Sequence, residues 1–325
     1  MPDPVTSATV ASPLTLVPAG WAVLAGVIVF ALAWFAAAVD SAATSRAGGS
    51  TRGAGQLGRP MREVARLMRQ RRRMTVEADT PLWRSATGGL LVIAALMVIV
   101  VPLGSWTVFD PPVGVVWFNA MDVCVWALVW LAGWGPNSVH GLVGGYRFLA
   151  QALGYELPLM FALVAPPIAA HSLRVGDVAA AQQGLWFVVW MPVAFVVYVI
   201  GVLGFSVWGP LSAAVGPDIA GGVAAELSGL DRLLFLAGRY ALLAAGAAFA
   251  VPMFLGGGAG PLLPGWLWVL VKTLVVLAGL VLLRRRLPVL RPDLFMEVGW
   301  LVLLPAALVQ VLIVSVVSVV AVRRG

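Results

Sequence analysis

Cysteine, histidine and lysine are almost missing from this chain of 325 residues, and charge of either sign is scarce. The single cysteine, Cys124, sits inside an apolar run, which excludes a disulfide framework and any Cys-based metal or iron–sulfur site within the chain. Two histidines, His140 and His171, are too few for a histidine metal cluster. No cofactor is expected to be bound here; if redox chemistry accompanies the chain, its cofactors belong to other subunits. Charged residues make up 11% and hydrophobic ones 61%, with mean hydropathy +0.97. That balance excludes an ordinary soluble domain and a disordered chain alike, and nucleic acid is not expected as a partner. The partner it implies is the lipid bilayer.

What is present is a series of long apolar runs. A transmembrane helix needs roughly 20 mainly apolar residues. Val17–Val39, Ser85–Trp106, Val115–Gly133, Leu157–Ala170, Leu185–Val207, Leu233–Leu255, Trp266–Leu283 and Val298–Val322 qualify, the fourth only if it begins near Ala150. The expectation is an all-α polytopic membrane protein, a single transmembrane domain over residues 1–325 with about eight transmembrane helices. Met1–Pro18 lacks the basic start of a secretory signal peptide, so the first run is expected to be retained as a span.

Arginine placement orients the chain, because Lys/Arg in short loops mark the cytoplasmic side. The first connection carries Arg46, Arg52, Arg59, Arg62, Arg66, Arg69, Arg71, Arg72, Arg73 and Arg84; the third has Arg147, the fifth Arg232, the seventh Arg284, Arg285, Arg286 and Arg291. Connections on the other side offer Arg174. Odd-numbered connections therefore face the cytoplasm of a multi-pass cell-membrane protein and both termini lie outside, with Arg323 and Arg324 weakly against the rule. Residues 41–84 form a basic cytoplasmic loop. Its Ser45–Gly58 part reads as a flexible link. Residues 60–73 read as an amphipathic surface helix, with Met61, Val64, Ala65, Leu67 and Met68 opposite Arg62, Arg66, Arg69 and Arg73. Such a helix binds anionic headgroups or docks on a partner subunit.

Three intramembrane residues stand out. Asp122 lies inside the third run, and a carboxylate there must be paired, hydrated or protonated. It is a proton-relay candidate, with a structural hydrogen bond as the alternative. Trp126, Trp130 and Trp134 follow it at i+4 steps and read as packing. Lys272, the one lysine, either snorkels to an interface with Trp266 and Trp268 or serves as a buried relay. Arg239 sits in the sixth run. At the head of the fourth run, Arg147, Gln151, Tyr155 and Glu156 cluster after a Gly133-Trp134-Gly135-Pro136-Asn137-Ser138 break, with Arg147 the expected partner of Glu156.

The order GWGPNSVHGLVGGYRFLAQALGYELPL, running through those residues, resembles the segment between the third and fourth helices of the H-type membrane subunit of NADH-quinone oxidoreductase (complex I), a family that includes the membrane subunit of membrane-bound hydrogenases. Ala225-Glu226-Leu227-Ser228-Gly229-Leu230 is similar to the family's Thr-Glu-Tyr-Ser-Gly-Met. Arg284, Leu287, Pro288, Arg291, Asp293, Met296, Gly299 and Trp300 match its pattern before the last helix. The chain departs from the family in four places: the acidic fifth connection is reduced to Asp218 and Glu226, an acid is replaced by Arg239, Val289 stands where an arginine is usual, and the first loop keeps only Glu77 of its usual motif.

The resemblance implies a subunit that lines part of a quinone chamber and couples electron transfer to proton translocation, with quinone as a possible substrate of the complex. Its partners would be other membrane subunits and peripheral iron–sulfur subunits. Chamber and coupling candidates are Glu77, Arg147, Gln151, Tyr155, Glu156, Asp218, Glu226, Arg284, Arg291 and Asp293; relay candidates are Asp122, Lys272 and Arg239. Alternatives are the membrane anchor of a hydrogenase- or formate-hydrogenlyase-like complex, a scaffold without proton traffic, and a stand-alone secondary transporter. Against the transporter, the sequence has no internal repeat and no matching pair of Gly/Pro-broken helices.

Overall fold

A computed structural model describes residues 14–47 and 58–324. It contains eight helices long and apolar enough to cross a bilayer among the described residues. In chain order the longer helices are α1 (Trp21–Ala47), the short surface helix α2 (Arg59–Arg69), α3 (Thr80–Val98), α4 (Gly114–Trp134), α5 (Val139–Ala170), α6 (Pro192–Phe205), α7 (Gly229–Phe254) and α8 (Gly265–Leu283). The last, α9, runs from Pro292–Val298 through a π turn at Gly299–Leu303 into Leu304–Arg324. The chain is thus an all-α polytopic membrane protein. A two-residue parallel ladder, β1 (Thr15–Leu16) on β2 (Trp106–Thr107), is the small exception among the described residues.

The bundle is built around α7, whose membrane window is 78% buried, whereas that of α9 is 22% buried. Alanine and glycine explain the difference: Ala241, Ala244, Ala245, Gly246, Ala247, Ala248 and Ala250 let α3, α6 and α8 approach the α7 backbone, and α1 packs beside them. Small residues allow such approach where apolar solvent supplies no driving force. Valine and leucine dominate α9, which leaves Leu308, Leu312, Ile313 and Val316 facing outward.

Local chemistry sets the ends. Asp79 caps α3 by accepting from the Leu82 amide at 3.3 Å, with Pro81 in the first turn. Between α4 and α5 the break is short because a Cβ on Gly133 would collide with the Gly141 carbonyl; only glycine permits that approach. From there α5 continues unbroken for 32 residues. The fourth span therefore starts at Val139, earlier than the apolar run suggested, and the cluster expected at its mouth lies along it. The fifth run is broken at Met191 instead of forming one helix from Leu185. Pro192 disfavours helical geometry at the residue before it, and Met191 has φ −121° and ψ 47°.

The surface helix ends at Arg69, four residues before the sequence pattern suggested. Gln70 is extended, and the following residues are captured by the start of α7. The Arg73 amide donates to Ser228 Oγ at 2.7 Å, and Arg72 lies 3.5 Å from Asp231. Leu67 is buried and Val64 and Ala65 half-buried, while Met61 and Met68 of the expected apolar face are exposed. Most of the Ser45–Gly58 link lies outside the described residues.

Candidate functional site

Asn119, Asp122 and Trp126 occupy one face of α4, because three- and four-residue steps return to the same side of a helix. That face meets Tyr155 and Glu156 on α5. Asp122 is fully buried and interacts electrostatically with Glu156, a buried carboxyl on the neighbouring helix. Among the described residues no donor reaches either Asp122 oxygen. Asn119 Nδ2 donates to Glu156 Oε1 at 3.4 Å, and Glu156 Oε2 has no partner. The indole Nε1 of Trp126 and the hydroxyl of Tyr155 border the pair without completing hydrogen bonds, their rings meeting edge to face at 6.4 Å. One turn before Tyr155, Gln151 donates to the Gly204 carbonyl of α6 at 3.3 Å. Gly204 is required there, since a Cβ would overlap the Tyr155 ring.

Two neighbouring carboxyls shielded from water repel when both are ionised, so a proton on one of them relieves the pair. This arrangement can hold a proton, or a proton and water, in a setting with several unpartnered polar atoms. No cation is paired with Asp122 or Glu156 among the described residues. Arg147, the expected partner of Glu156, is nine residues away on the same helix, about 13.5 Å along the axis and half a turn round. It pairs instead with Asp218 at 2.5 Å. That contact holds the exposed Asp218 carboxyl below its ordinary range.

The remaining sequence candidates do not join the pair. Glu226 accepts from Ser138 Oγ at 3.0 Å, and Arg291 pairs with Asp293 at 2.6 Å, both at the arginine-rich end. Glu77 is exposed there. Arg239 is buried, donates to the Ser206 and Val207 carbonyls at the end of α6, and lies 5.7 Å over the Trp208 ring. Arg284 covers the same ring at 4.8 Å and reaches Asp40 at 3.1 Å. Lys272 stands near the opposite end. Its ammonium donates to the carbonyls of Leu255 (2.7 Å), Gly257 (3.0 Å) and Ala259 (2.8 Å) and sits 4.1 Å over Trp186. All three of its protons are used.

Sequence reasoning missed Asp40. It accepts from Arg284, Arg285 and Tyr240 and so ties α1 to α7 and α8. The signal was available, since an acid ends the apolar stretch Phe35–Val39 and the rule applied to Asp122 asks for its partner too. Asn119 was also missed, because a neutral amide in an apolar run carries no comparable alarm. Of the tryptophan stripe, Trp130 and Trp134 stack at 5.0 Å, and Trp126 alone borders the carboxyl pair.

Fold and site together define a polytopic membrane protein with a buried acid pair between two spans. The sequence profile of the family described as NADH dehydrogenase matches residues 18–315. The second H-type NADH-quinone oxidoreductase subunit of Geobacter sulfurreducens is 35% identical over 266 residues, 78% of this chain and 80% of that protein. The first such subunit of Geobacter metallireducens is also 35% identical, with the same coverage, and the second of Syntrophobacter fumaroxidans is 31% identical over 80% of this chain and 82% of its own length. The chain belongs to the family of H-type NADH-quinone oxidoreductase subunits, which are membrane subunits of complex I.

Proposed function

We propose that this chain is a membrane subunit of a complex I-type NADH-quinone oxidoreductase, where it forms part of the quinone chamber and couples electron transfer to proton translocation. The observation that carries the reading is the Asp122–Glu156 pair, buried between α4 and α5 with no cation beside it among the described residues. Electron transfer takes place in other subunits. This chain's task is to hold a proton at the pair and release it when charge or geometry at the arginine-rich end changes.

The arginine-rich end faces the cytoplasm of a cell-membrane protein, and both termini lie on the other side. The link from that end to the pair is α5 itself, which carries Arg147 near its start and Glu156 in its middle. Loop residues 206–228 pack on α5, with Gly144 against Val223 and Ala214, and Arg147 holds Asp218 in the same loop. A displacement of that loop by a partner subunit or a quinone headgroup moves the helix that carries Glu156. Gln151 and Tyr155 register α5 against α6 during such movement.

Affinity purification in mild detergent, followed by mass spectrometry, tests the assembly. Iron–sulfur and further membrane subunits of the oxidoreductase type are expected to come with the chain. Recovery of the chain alone across several detergents would refute it, and nickel-site hydrogenase subunits in their place would refute the quinone chamber.

A further inference from the structure

Helices α8 and α9 are joined by the eight residues Arg284–Arg291, yet they pack on different neighbours. α8 lies on α1 and α7, whereas α9 lies on α5 and α6. Between them a crevice of about 360 Å³ opens sideways, with α6 as its floor. Phe195, Val199, Ile200 and Leu203 line it from α6, and Leu283, Leu287, Pro288 and Leu290 close it at the arginine-rich end. The walls expose no polar surface, and the volume falls within the range of about 300–1,000 Å³ common for ligand pockets. Phe195 to Leu203 spans eight residue steps of helix, so the crevice extends about 12 Å along α6.

The connection that closes this apolar slot, residues 284–291, is strongly basic. Arg284 and Arg285 are engaged by Asp40, and Arg291 by Asp293. Arg286, between the crevice-lining Leu283 and Leu287, is exposed, and its side chain has no hydrogen-bond or ion-pair partner among the described residues. An apolar slot that runs toward the middle of the bilayer from a connection carrying an uncommitted arginine matches one chemistry: an acyl chain with an anionic headgroup. Arginine recognises phosphate oxygens with paired donors, and basic pockets at helix ends select anionic lipids.

We propose that the α6–α8–α9 crevice is a binding site for an anionic phospholipid of the leaflet at the arginine-rich end, one acyl chain lying along α6 and the phosphate held by Arg286. The lipid fills the gap that the packing of α8 and α9 leaves and fixes the angle between them. The site lies outside the Asp122–Glu156 pair and stands whether or not that pair moves protons.

Native mass spectrometry of the purified full chain, titrated with phosphatidylglycerol or phosphatidylcholine of identical acyl chains, tests it. The expected result is a preference for phosphatidylglycerol of roughly fivefold from Arg286 alone, the worth of one arginine at an anionic surface. Arg286→Gln removes the preference and Arg286→Lys keeps it. Ile200→Trp, which fills the slot, lowers retention of both lipids while the far-UV circular dichroism stays unchanged. Equal retention of the two lipids by the wild-type chain overturns the proposal, as does an undiminished preference in Arg286→Gln. Crosslinking of position 200 to a neighbouring membrane subunit also overturns it, because a protein helix would then occupy the slot.

Discussion

Asp122 and Glu156 sit on separate, packed helices, each among polar atoms without hydrogen-bond partners. Asp122→Asn keeps the shape and abolishes the acid. If the pair relays protons, proton translocation in reconstituted vesicles falls roughly a hundredfold, the usual scale for losing a positioned acid or base. Assembly with the partner subunits is unaffected. Unchanged proton uptake in this variant would remove the pair from the mechanism. Asp218 differs, being exposed and tethered by Arg147, which lowers the folded-state pKa below the ordinary value near 3.8. Its stabilising contribution is therefore present above that value and is lost as pH falls through the lower folded one. Hydrogen exchange in residues 212–228 is expected to stay slow down to about the ordinary carboxylate range. In Asp218→Asn the pH-dependent part of that protection disappears.

At the scale of elements, α5 and α9 cross where Gly299 meets Gly154. A Cβ on Gly299 would collide with the Gly154 carbonyl, and Phe295 packs on Gly154 beside it. Pro158, four residues on, has no amide to give that carbonyl, so the crossing sits on backbone already released from the helix ladder. Gly299→Ala is expected to push α9 away and cost about 1–3 kcal/mol by overpacking, read as a lowered thermal midpoint in detergent. The eight spans were legible because hydrophobic run length is a local property. Their ends were less so: Ala150 or Leu157 looked like the start of α5 because glycine hides its role in close packing until the neighbour, here Gly133, is known. The helix end at Arg69 was illegible for a similar reason, since Ser228 and Asp231 capture the chain from 155 or more residues away. Of the site, Asp122 and Glu156 were each visible as misplaced charges. Their meeting was not, because it depends on the register of α4 against α5, which is fixed by the Gly133–Gly141 contact.

Across the whole molecule the two ends are held differently. The arginine-rich end is tied by side-chain ion pairs between distant segments, Asp40 to Arg284 and Arg285, Arg72 to Asp231 and Arg147 to Asp218. Replacing Asp40 by Asn loosens α1 from α8, and the two arginines are partly exposed, so about 1–2 kcal/mol is expected from the lost charge-assisted bonds after solvent screening. Differential scanning calorimetry would register it, and an unchanged midpoint would mean that helix packing alone holds α1. At the opposite end, the backbone turns at Gly256 and Gly257, with φ of 71° and 51°, and presents three carbonyls to the Lys272 ammonium. The lysine occupies what is in effect an ion-coordination cage, with Trp186 as its lid. Lys272→Met would vacate the cage and leave its ring of oxygens without a guest. Alone among variants of this chain, it is then expected to regain its melting temperature when ammonium or methylammonium salts are added, a chemical rescue that sodium salts at equal ionic strength do not reproduce.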